Sequence, residues 1–582
     1  MTLLESKYLM ENCDYSFGSI TVGNTKSANL SNSEFIQKYM GIKNDGRSFM
    51  TLYIDNIRLY RRPSGGIQYN NMENPGTNNW EEHRKLKDKL ILENKDQDLL
   101  ELCSKLKDMN FIIFTGLEDT NIDNEIFNLI PSNVLSIYAS SSRSFGGKVI
   151  PIPFGLMYEN SGQRADALKN LIKLEISPSN KVYINHSLGS NSERPLINKM
   201  FSNYNWVTIS IPKSTSVEDY ISYLKEIKNH KFVICSDGNA IDCDCYRNWE
   251  TLYMRRVPIC KRSPYLEKIF EGLPVLFVDK FEDVTEDLID SNDHLYQEAQ
   301  TFDMSLLDIE IMFKNIISKY KYLDIVKWIK DYASNKFKLV VGISGGIDSA
   351  LVSTLCAMTG IETYVISLPI HQNESQISNA KNHIKWLKSK YDNVIDFEFD
   401  LTNLFDSFER IFTSVNCDKC HHPLFDSKLS LANSRSRLRM TSLYQISSNV
   451  NGIVVGTGNK VEDFGIGFFT KYGDGGVDIS PIADLTKTEV RKMAISVGII
   501  DDILKAKPTD GLWEDNRSDE DQIGATYEEL EWAMSYIESN KLIHSEELSS
   551  REKEVLNIYS VLHGKNKHKM VDIPIFKNNN KI

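Results

Sequence analysis

The stretch Lys338–Gly360, KLVVGISGGIDSALVSTLCAMTG, decides how the second half of this chain is read. Leu339, Val340, Val341 and Ile343 form a short apolar run suited to a strand buried on both faces. The run breaks at Gly345-Gly346, and apolar residues return at helical spacing at Leu351, Leu355 and Met358. A glycine pair between strand and helix lets the backbone turn tightly and present its N–H groups. The positive end of the helix dipole lies at the same place, so the turn suits phosphate or pyrophosphate. Ser344 and Ser349 add hydroxyl donors, and Asp348 adds a carboxylate able to hold a metal that neutralises phosphates. A plain glycine-rich βα turn accounts for the glycines but not for the polar set around them.

The flanks repeat the pattern. LLDIEIMFKNIISKYKYLDIVKWIKDYASN approaches the strand with Ile311, Ile316, Ile317, Tyr320, Ile325, Val326 and Ile329 at helical spacing. The strand TYVISLP follows, then a helix carrying Ile377, Ala380, Ile384 and Leu387, then the strands VIDFEFD and GIVVGTGN. Strands alternating with helices predict a mostly parallel, doubly wound α/β sheet.

A chain of 582 residues is too long for one ordinary core, so two domains are expected, 1–310 and 311–582. The net charge of −12 argues against general nucleic-acid binding. The sequence holds no apolar run long enough to span a bilayer, and MTLLESKYLMENC lacks the features of a signal peptide. A cytoplasmic protein with no membrane partner is the expectation. Nine cysteines in this length do not form a disulfide framework. Cys417, Cys420, His421 and His422 have zinc-like spacing without a second pair, and Cys243 and Cys245 sit too close in sequence to share a tetrahedral site well. Reduced thiols are the preferred reading of both groups.

In the first half, NDGRSFMTLYIDNIRLYRRPSGG suggests a strand pair and NNMENPGTNNW a loop. Short apolar runs then recur at Phe111–Thr115, Val182–Asn185, Val207–Ile211, Phe232–Cys235, Val257–Cys260 and Val275–Val278. Helical stretches separate several of them, including Val217–Lys228 and Asn248–Arg255, and predict a second doubly wound sheet. FVICSDGNAIDCDCYRNWETLYMRRVPICKRSPY places a polar turn after a strand, where ligands of open α/β sheets bind. This segment resembles the nucleotide-sugar-binding half of GT-B glycosyltransferases of the exostosin-like kind, over residues 140–290. The resemblance implies that Glu250 holds a donor ribose, that HSLGSNSERP forms the partnering loop, and that Arg194 or Lys261 meets a diphosphate. A catalytically silent domain that keeps a nucleotide-shaped crevice, or docks a partner, is the competing reading.

SGGIDS (Ser344–Ser349) is the signature of the N-type ATP pyrophosphatases, the PP-loop enzymes that adenylate a substrate. GTGNKVEDFGIGFFTKYGDGGVDISPIADLTKTEV (Gly456–Val490) is similar to the NAD synthetases among them. SLPIHQNESQ, NSRSRLRM, KPTDGLWEDNRSDEDQIGATYEEL and NKHKMVDIP follow in that family's order. The resemblance implies conversion of deamido-NAD, ATP and ammonia into NAD, AMP and pyrophosphate, with Mg²⁺ as metal. It places Ser344, Gly345, Gly346, Asp348 and Ser349 around pyrophosphate, Asp348 and Glu462 on Mg²⁺, and Thr457 and Arg439 at ATP. Lys471 and Lys487 would neutralise phosphate charge. Arg437, Asp474, Asp478, His568 and Lys569 would hold deamido-NAD, and Asp510 to Asp521 would belong to a lid. A homodimer is implied as well.

Two departures stand out. The tract Phe412–Ser430 carries cysteines and histidines foreign to the family pattern. Residues 1–310 lack the motifs of a nitrilase-like glutaminase, so free ammonia is the expected nitrogen source. Two other readings stay open: a PP-loop ligase acting on a different carboxylate handled by the N-terminal domain, and a nucleotide sensor without turnover.

Overall fold

The computed structural model describes residues 12–16, 47–55, 99–107, 109–116, 124–140, 145–153, 155–156, 162–189, 191–212, 214, 216–237, 243–334, 336–413, 428–506, 508, 518–539 and 548–576. The chain divides into two compact units, Met1–Ile316 and Ile317–Ile582. It is an α/β protein with three parallel sheets.

The first unit holds two of the sheets. One is five-stranded, with β1 (Tyr15–Ser16), β2 (Phe49–Asp55), β3 (Asn110–Gly116), β4 (Val134–Ala139) and β5 (Val149–Pro151) in sequential order. Its core gathers Met50, Leu52, Phe111, Ile113, Val134 and Ile137. The second comprises β6 (Asn180–Asn185), β7 (Val207–Ser210), β8 (His230–Ile234), β9 (Val257–Lys261) and β10 (Leu276–Val278), in the order β10-β9-β8-β6-β7. The expectation of a single sheet in this half is therefore corrected. Apolar runs reveal strands but not which sheet each strand joins, and β4 and β5 escaped the reading of periodicity altogether. NDGRSFMTLYIDNIRLYRRPSGG contains β2, and its continuation lies outside the described residues, as does NNMENPGTNNW.

In the second sheet the chain moves from β6 outward to β7, then crosses to the other side of β6 to lay down β8, β9 and β10. The loops after β6 and β8 thus leave in opposite directions and open a crevice beyond those strand ends.

The second unit has one four-stranded parallel sheet in the order β13-β12-β11-β14, formed by β11 (Lys338–Gly342), β12 (Thr363–Ser367), β13 (Val394–Glu398) and β14 (Gly452–Val454). Alternation divides the two cores. Leu339 and Val341 pack with Leu351, Leu355 and Ile384 on one face. Val340 packs with Met440 and Leu443 on the other. The helix Ile347–Met358 is buried almost all round, which explains its continuous apolar sequence. A third cluster joins Val461 and Ile466 to Leu530, Met534, Val555 and Tyr559 from the helices Tyr527–Glu538 and Ser550–Met570. Among the described residues no helix is long and apolar enough to cross a membrane.

Candidate functional site

The second sheet reversal lies between β11 and β14, and the loop Ser344–Ser349 sits there at the end of β11. Ser349 Oγ accepts from the Ser344 N–H at 3.3 Å and lies 3.0 Å from Ser344 Oγ. Gly346 N–H donates to Ser344 Oγ at 3.2 Å. The hydroxyls thus fix the loop from within. Gly345 has φ +86°, and a Cβ there would collide with the Gln376 carbonyl, so only glycine lets the loop pass this close to the neighbouring helix.

Three helix N-termini bring the charged groups together. Asp348 lies in the first turn of Ile347–Met358. Lys487 opens the helix Lys487–Ser496, and Tyr527 opens Tyr527–Glu538. Thr486 with Glu489, and Thr526 with Glu529, form reciprocal capping boxes that start these two helices at those residues. Glu462 comes from a π-helical turn, Val461–Ile466, that ends at Gly467 in the left-handed region.

Lys487 Nζ lies 2.6 Å from Asp348 Oδ2 and 3.0 Å from Glu462 Oε1. Its side chain is 3% exposed, and the carboxylates are 18% and 17% exposed. Asn459 Nδ2 donates to Asp348 Oδ1 at 3.3 Å, and Tyr527 OH donates to Glu462 Oε1 at 2.6 Å. The Lys487 ammonium also sits 4.9 Å from the centre of the Tyr527 ring. Burial raises the Asp348 pKa, with Lys487 opposing it. Burial also works against ionised Glu462, but Lys487 and the Tyr527 and Asn459 hydrogen bonds hold its pKa below the ordinary value. Burial would lower the Lys487 pKa, yet the two carboxylates drive it upward. The lysine charge is therefore matched from both sides, as one cation between two anions.

Among the described residues no group of three or more His, Cys, Asp or Glu side chains is arranged to hold a metal. Two converging carboxylates are nonetheless a donor set that suits Mg²⁺, which commonly takes one or two protein carboxylates and completes its shell with water and phosphate.

A second polar group is built on the segment after the π-turn. Lys569 Nζ donates to the Gly467 and Phe469 carbonyls at 2.9 and 2.8 Å, and Lys471 Nζ donates to the His568 carbonyl at 2.8 Å. Burial lowers the Lys569 pKa. Arg437 Nε donates to the Lys471 carbonyl at 3.2 Å. Asp474 Oδ1 accepts from Ser436 Oγ at 2.6 Å and from the Thr470 N–H at 3.1 Å. The end of the helix Ser550–Met570 thus clamps residues 467–471.

Other candidates take separate places. Asp478 accepts from Tyr444 OH at 3.0 Å and from the Val454 N–H at 2.7 Å, beside β14. Arg439 holds the loop after β12, donating to the Leu368 carbonyl at 2.9 Å and Gln372 Oε1 at 2.8 Å. Thr457 is half-buried in the turn after β14. Of the stretch Asp510–Asp521, residues 510–517 lie outside the described residues, and Asp519–Ile523 is a short capped helix. Cys417, Cys420, His421 and His422 also lie outside them. Asn459 and Tyr527 sit within the quoted motifs, but nothing local marks them; an amide in a turn and a tyrosine on an apolar helix face read as structural.

In the first unit Arg194 is buried and donates to the Ser187 and Asp237 carbonyls at 3.2 and 2.8 Å. Glu250 is buried and accepts from Tyr220 OH at 2.8 Å and Tyr223 OH at 2.9 Å. Burial pushes its pKa up to about 7 against the pull of the tyrosines and of Arg247. Lys261 lies 3.6 Å from Glu193. Cys243 and Cys245 are buried and form no disulfide.

A glycine-rich loop at a sheet reversal, with Asp348, Glu462 and Lys487 drawn together beside it, is the arrangement of a nucleotide-handling α/β enzyme. Residues 321–572 match the family model described as NAD synthase. The NH(3)-dependent NAD(+) synthetase of Carboxydothermus hydrogenoformans is 39% identical over 210 residues, covering 36% of this chain and 81% of that protein. The corresponding enzyme of Alkaliphilus metalliredigens is 35% identical over 257 residues, covering 43% and 95%. That of Methanococcoides burtonii is 38% identical over 236 residues, covering 38% and 83%. The chain belongs to the NAD synthase family through its C-terminal portion.

Proposed function

We propose that the Ser344–Ser349 loop, the Asp348–Lys487–Glu462 cluster and the clamped segment around Lys471 divide one reaction among them. The C-terminal portion is an ammonia-dependent NAD synthetase, an ATP-dependent ligase. Its substrates are deamido-NAD, ATP and ammonia. A carboxylate is a poor electrophile, so a carboxylate oxygen of the nicotinate first attacks the α-phosphorus and pyrophosphate leaves. Ammonia then attacks the carbonyl carbon, AMP leaves, and one ammonia proton passes to solvent.

Each residue group answers one demand of that sequence. The loop N–H groups and the Ser344 and Ser349 hydroxyls receive the departing pyrophosphate. Lys487 and Lys471 supply fixed positive charge, which costs no reorganisation as charge develops. Asp348 and Glu462 would hold Mg²⁺, which when bound neutralises phosphate charge. Thr457 and Arg439 flank the ATP position; Arg437, Asp474, Asp478, His568 and Lys569 orient deamido-NAD. Asp510 to Asp521 keeps water from the adenylate. The observation that carries this reading is the convergence of Asp348, Glu462 and Lys487 beside the loop.

Asp348→Ala tests it: NAD formation from deamido-NAD, ATP, Mg²⁺ and ammonium should fall about a thousand-fold. Turnover near the parent rate would refute the assignment. The family resemblance implies a homodimer, which light scattering would reveal as twice the chain mass. For the first unit we read a nucleotide-sugar-handling domain of the GT-B kind. Twin parallel sheets and an Arg194 tied to the loops after β6 and β8 support that reading, with Glu250 and Lys261 as its further candidates.

A further inference from the structure

The crevice between the ends of β6 and β8 contains a buried guanidinium to which the described residues offer no oxygen acceptor. Arg247, on the helix Tyr246–Tyr253, is 2% exposed. Its Nε has no hydrogen-bond partner, and its Nη1 reaches only the Cys245 sulfur, at 4.0 Å. Among the described residues no carboxylate forms an ion pair with it, and the Glu250 carboxylate three residues on is held by Tyr220 and Tyr223. The Tyr246 ring centre, 5.9 Å from the guanidinium carbon, accepts no conventional hydrogen bond, so a guanidinium buried this way is costly.

Arg194 lies beside it. Its guanidinium is anchored from both strand ends, to Ser187 after β6 and Asp237 after β8. His186, wholly buried, lies 3.2 Å from Ser236 Oγ through Nδ1 and 3.2 Å from the Arg194 carbonyl through Nε2. That arrangement suits a neutral ring, with Nε2–H donating to the carbonyl and Nδ1 accepting from the serine. Burial, then Arg247 and Arg194, push its pKa down to about 4. The histidine thus adds no charge, and the two arginines face the sheet reversal as a pair.

We propose that Arg247 and Arg194 form an anion site for a phosphate or diphosphate group of a small molecule, and that this ligand supplies the acceptors Arg247 lacks. Guanidinium forks match phosphate oxygens in pairs, which favours phosphate over a compact halide-like anion. The site deepens the nucleotide-sugar reading but stands on the unpaired Arg247, and it would serve any phosphate ester.

The test uses the full chain with inorganic pyrophosphate, in a Gly345→Ala background that closes the other pyrophosphate site. Calorimetry should find one pyrophosphate per chain, and Arg247→Met should abolish that binding. Without ligand, Arg247→Met should melt at the same temperature or higher, because it removes an unanswered buried charge. Pyrophosphate binding that survives Arg247→Met, or no binding in the Gly345→Ala parent, overturns the site. A lower melting temperature in Arg247→Met would make the arginine a structural cation and overturn it equally. If pyrophosphate binds through Arg247 but uridine and guanosine diphosphate sugars do not, the anion site stands and the nucleotide-sugar reading falls.

Discussion

Both units place buried cations at a point where a parallel sheet reverses its strand order, and they treat those cations in opposite ways. In the second unit Lys487 lies between Asp348 and Glu462, so its charge is answered within hydrogen-bonding distance. In the first unit Arg247 has a thiol at 4.0 Å and the Tyr246 ring centre at 5.9 Å, but no oxygen acceptor among the described residues. A cation paired in this way is stabilised before any ligand is present. An unmatched one costs stability until the ligand arrives. The same topology therefore carries a buried cation in two different electrostatic settings.

Breaking the match should have the largest effect. Lys487→Met would leave two carboxylates facing each other in a largely buried place, and unfolding measurements should show a loss of roughly 3–5 kcal/mol. A stability equal to the parent would show that the carboxylates do not depend on the lysine. This outcome is opposite in sign to that expected for Arg247→Met, and the pair of measurements separates the two regions directly.

A subtler change sharpens the picture on the matched side. Tyr527→Phe keeps the ring beneath Lys487 and removes only the hydroxyl that donates to Glu462. Turnover should fall about tenfold with the KM for deamido-NAD unchanged, and more Mg²⁺ should be needed for half-maximal rate. An unaltered Mg²⁺ requirement would reduce Tyr527 to a packing residue.

The smallest effect belongs to Glu250. Its folded pKa of about 7 lies above the unfolded value near 4.5, so the folded state binds the extra proton. Its contribution to stability is fully present below the unfolded value and is lost as pH rises through about 7. Glu250→Gln should flatten that part of the stability profile and melt higher than the parent at about pH 8. Parallel profiles for the two proteins would show that the carboxyl is not perturbed.

Legibility followed the range over which the information is stored. The Ser344–Ser349 loop is a run of adjacent residues, so strand, turn, helix and phosphate chemistry could be read together. The contact between Lys487 and Asp348 spans 139 residues, and only resemblance to a family placed both at one site. Tyr527 shares its helix face with Leu530, Ala533 and Met534, which makes it look like ordinary core. Arg247 sits in a helix where seven residues are buried, and no periodicity distinguishes a buried arginine from an exposed one. The division of the first unit into two sheets was hidden for a related reason: alternation of strand and helix is the same within a sheet and across a boundary.

The helix Ser550–Met570 has a consequence for the protein during its own synthesis. Lys569 grips the Gly467 and Phe469 carbonyls, and Lys471 grips the His568 carbonyl, so the segment after Glu462 is held by a part of the chain made a hundred residues later. A growing chain emerges from the ribosome from its first residue onward. The Ser344–Ser349 loop will be outside long before the clamp, and a nascent chain can form that loop before residues 467–471 are held. Order around that segment arrives late, with the helix Ser550–Met570.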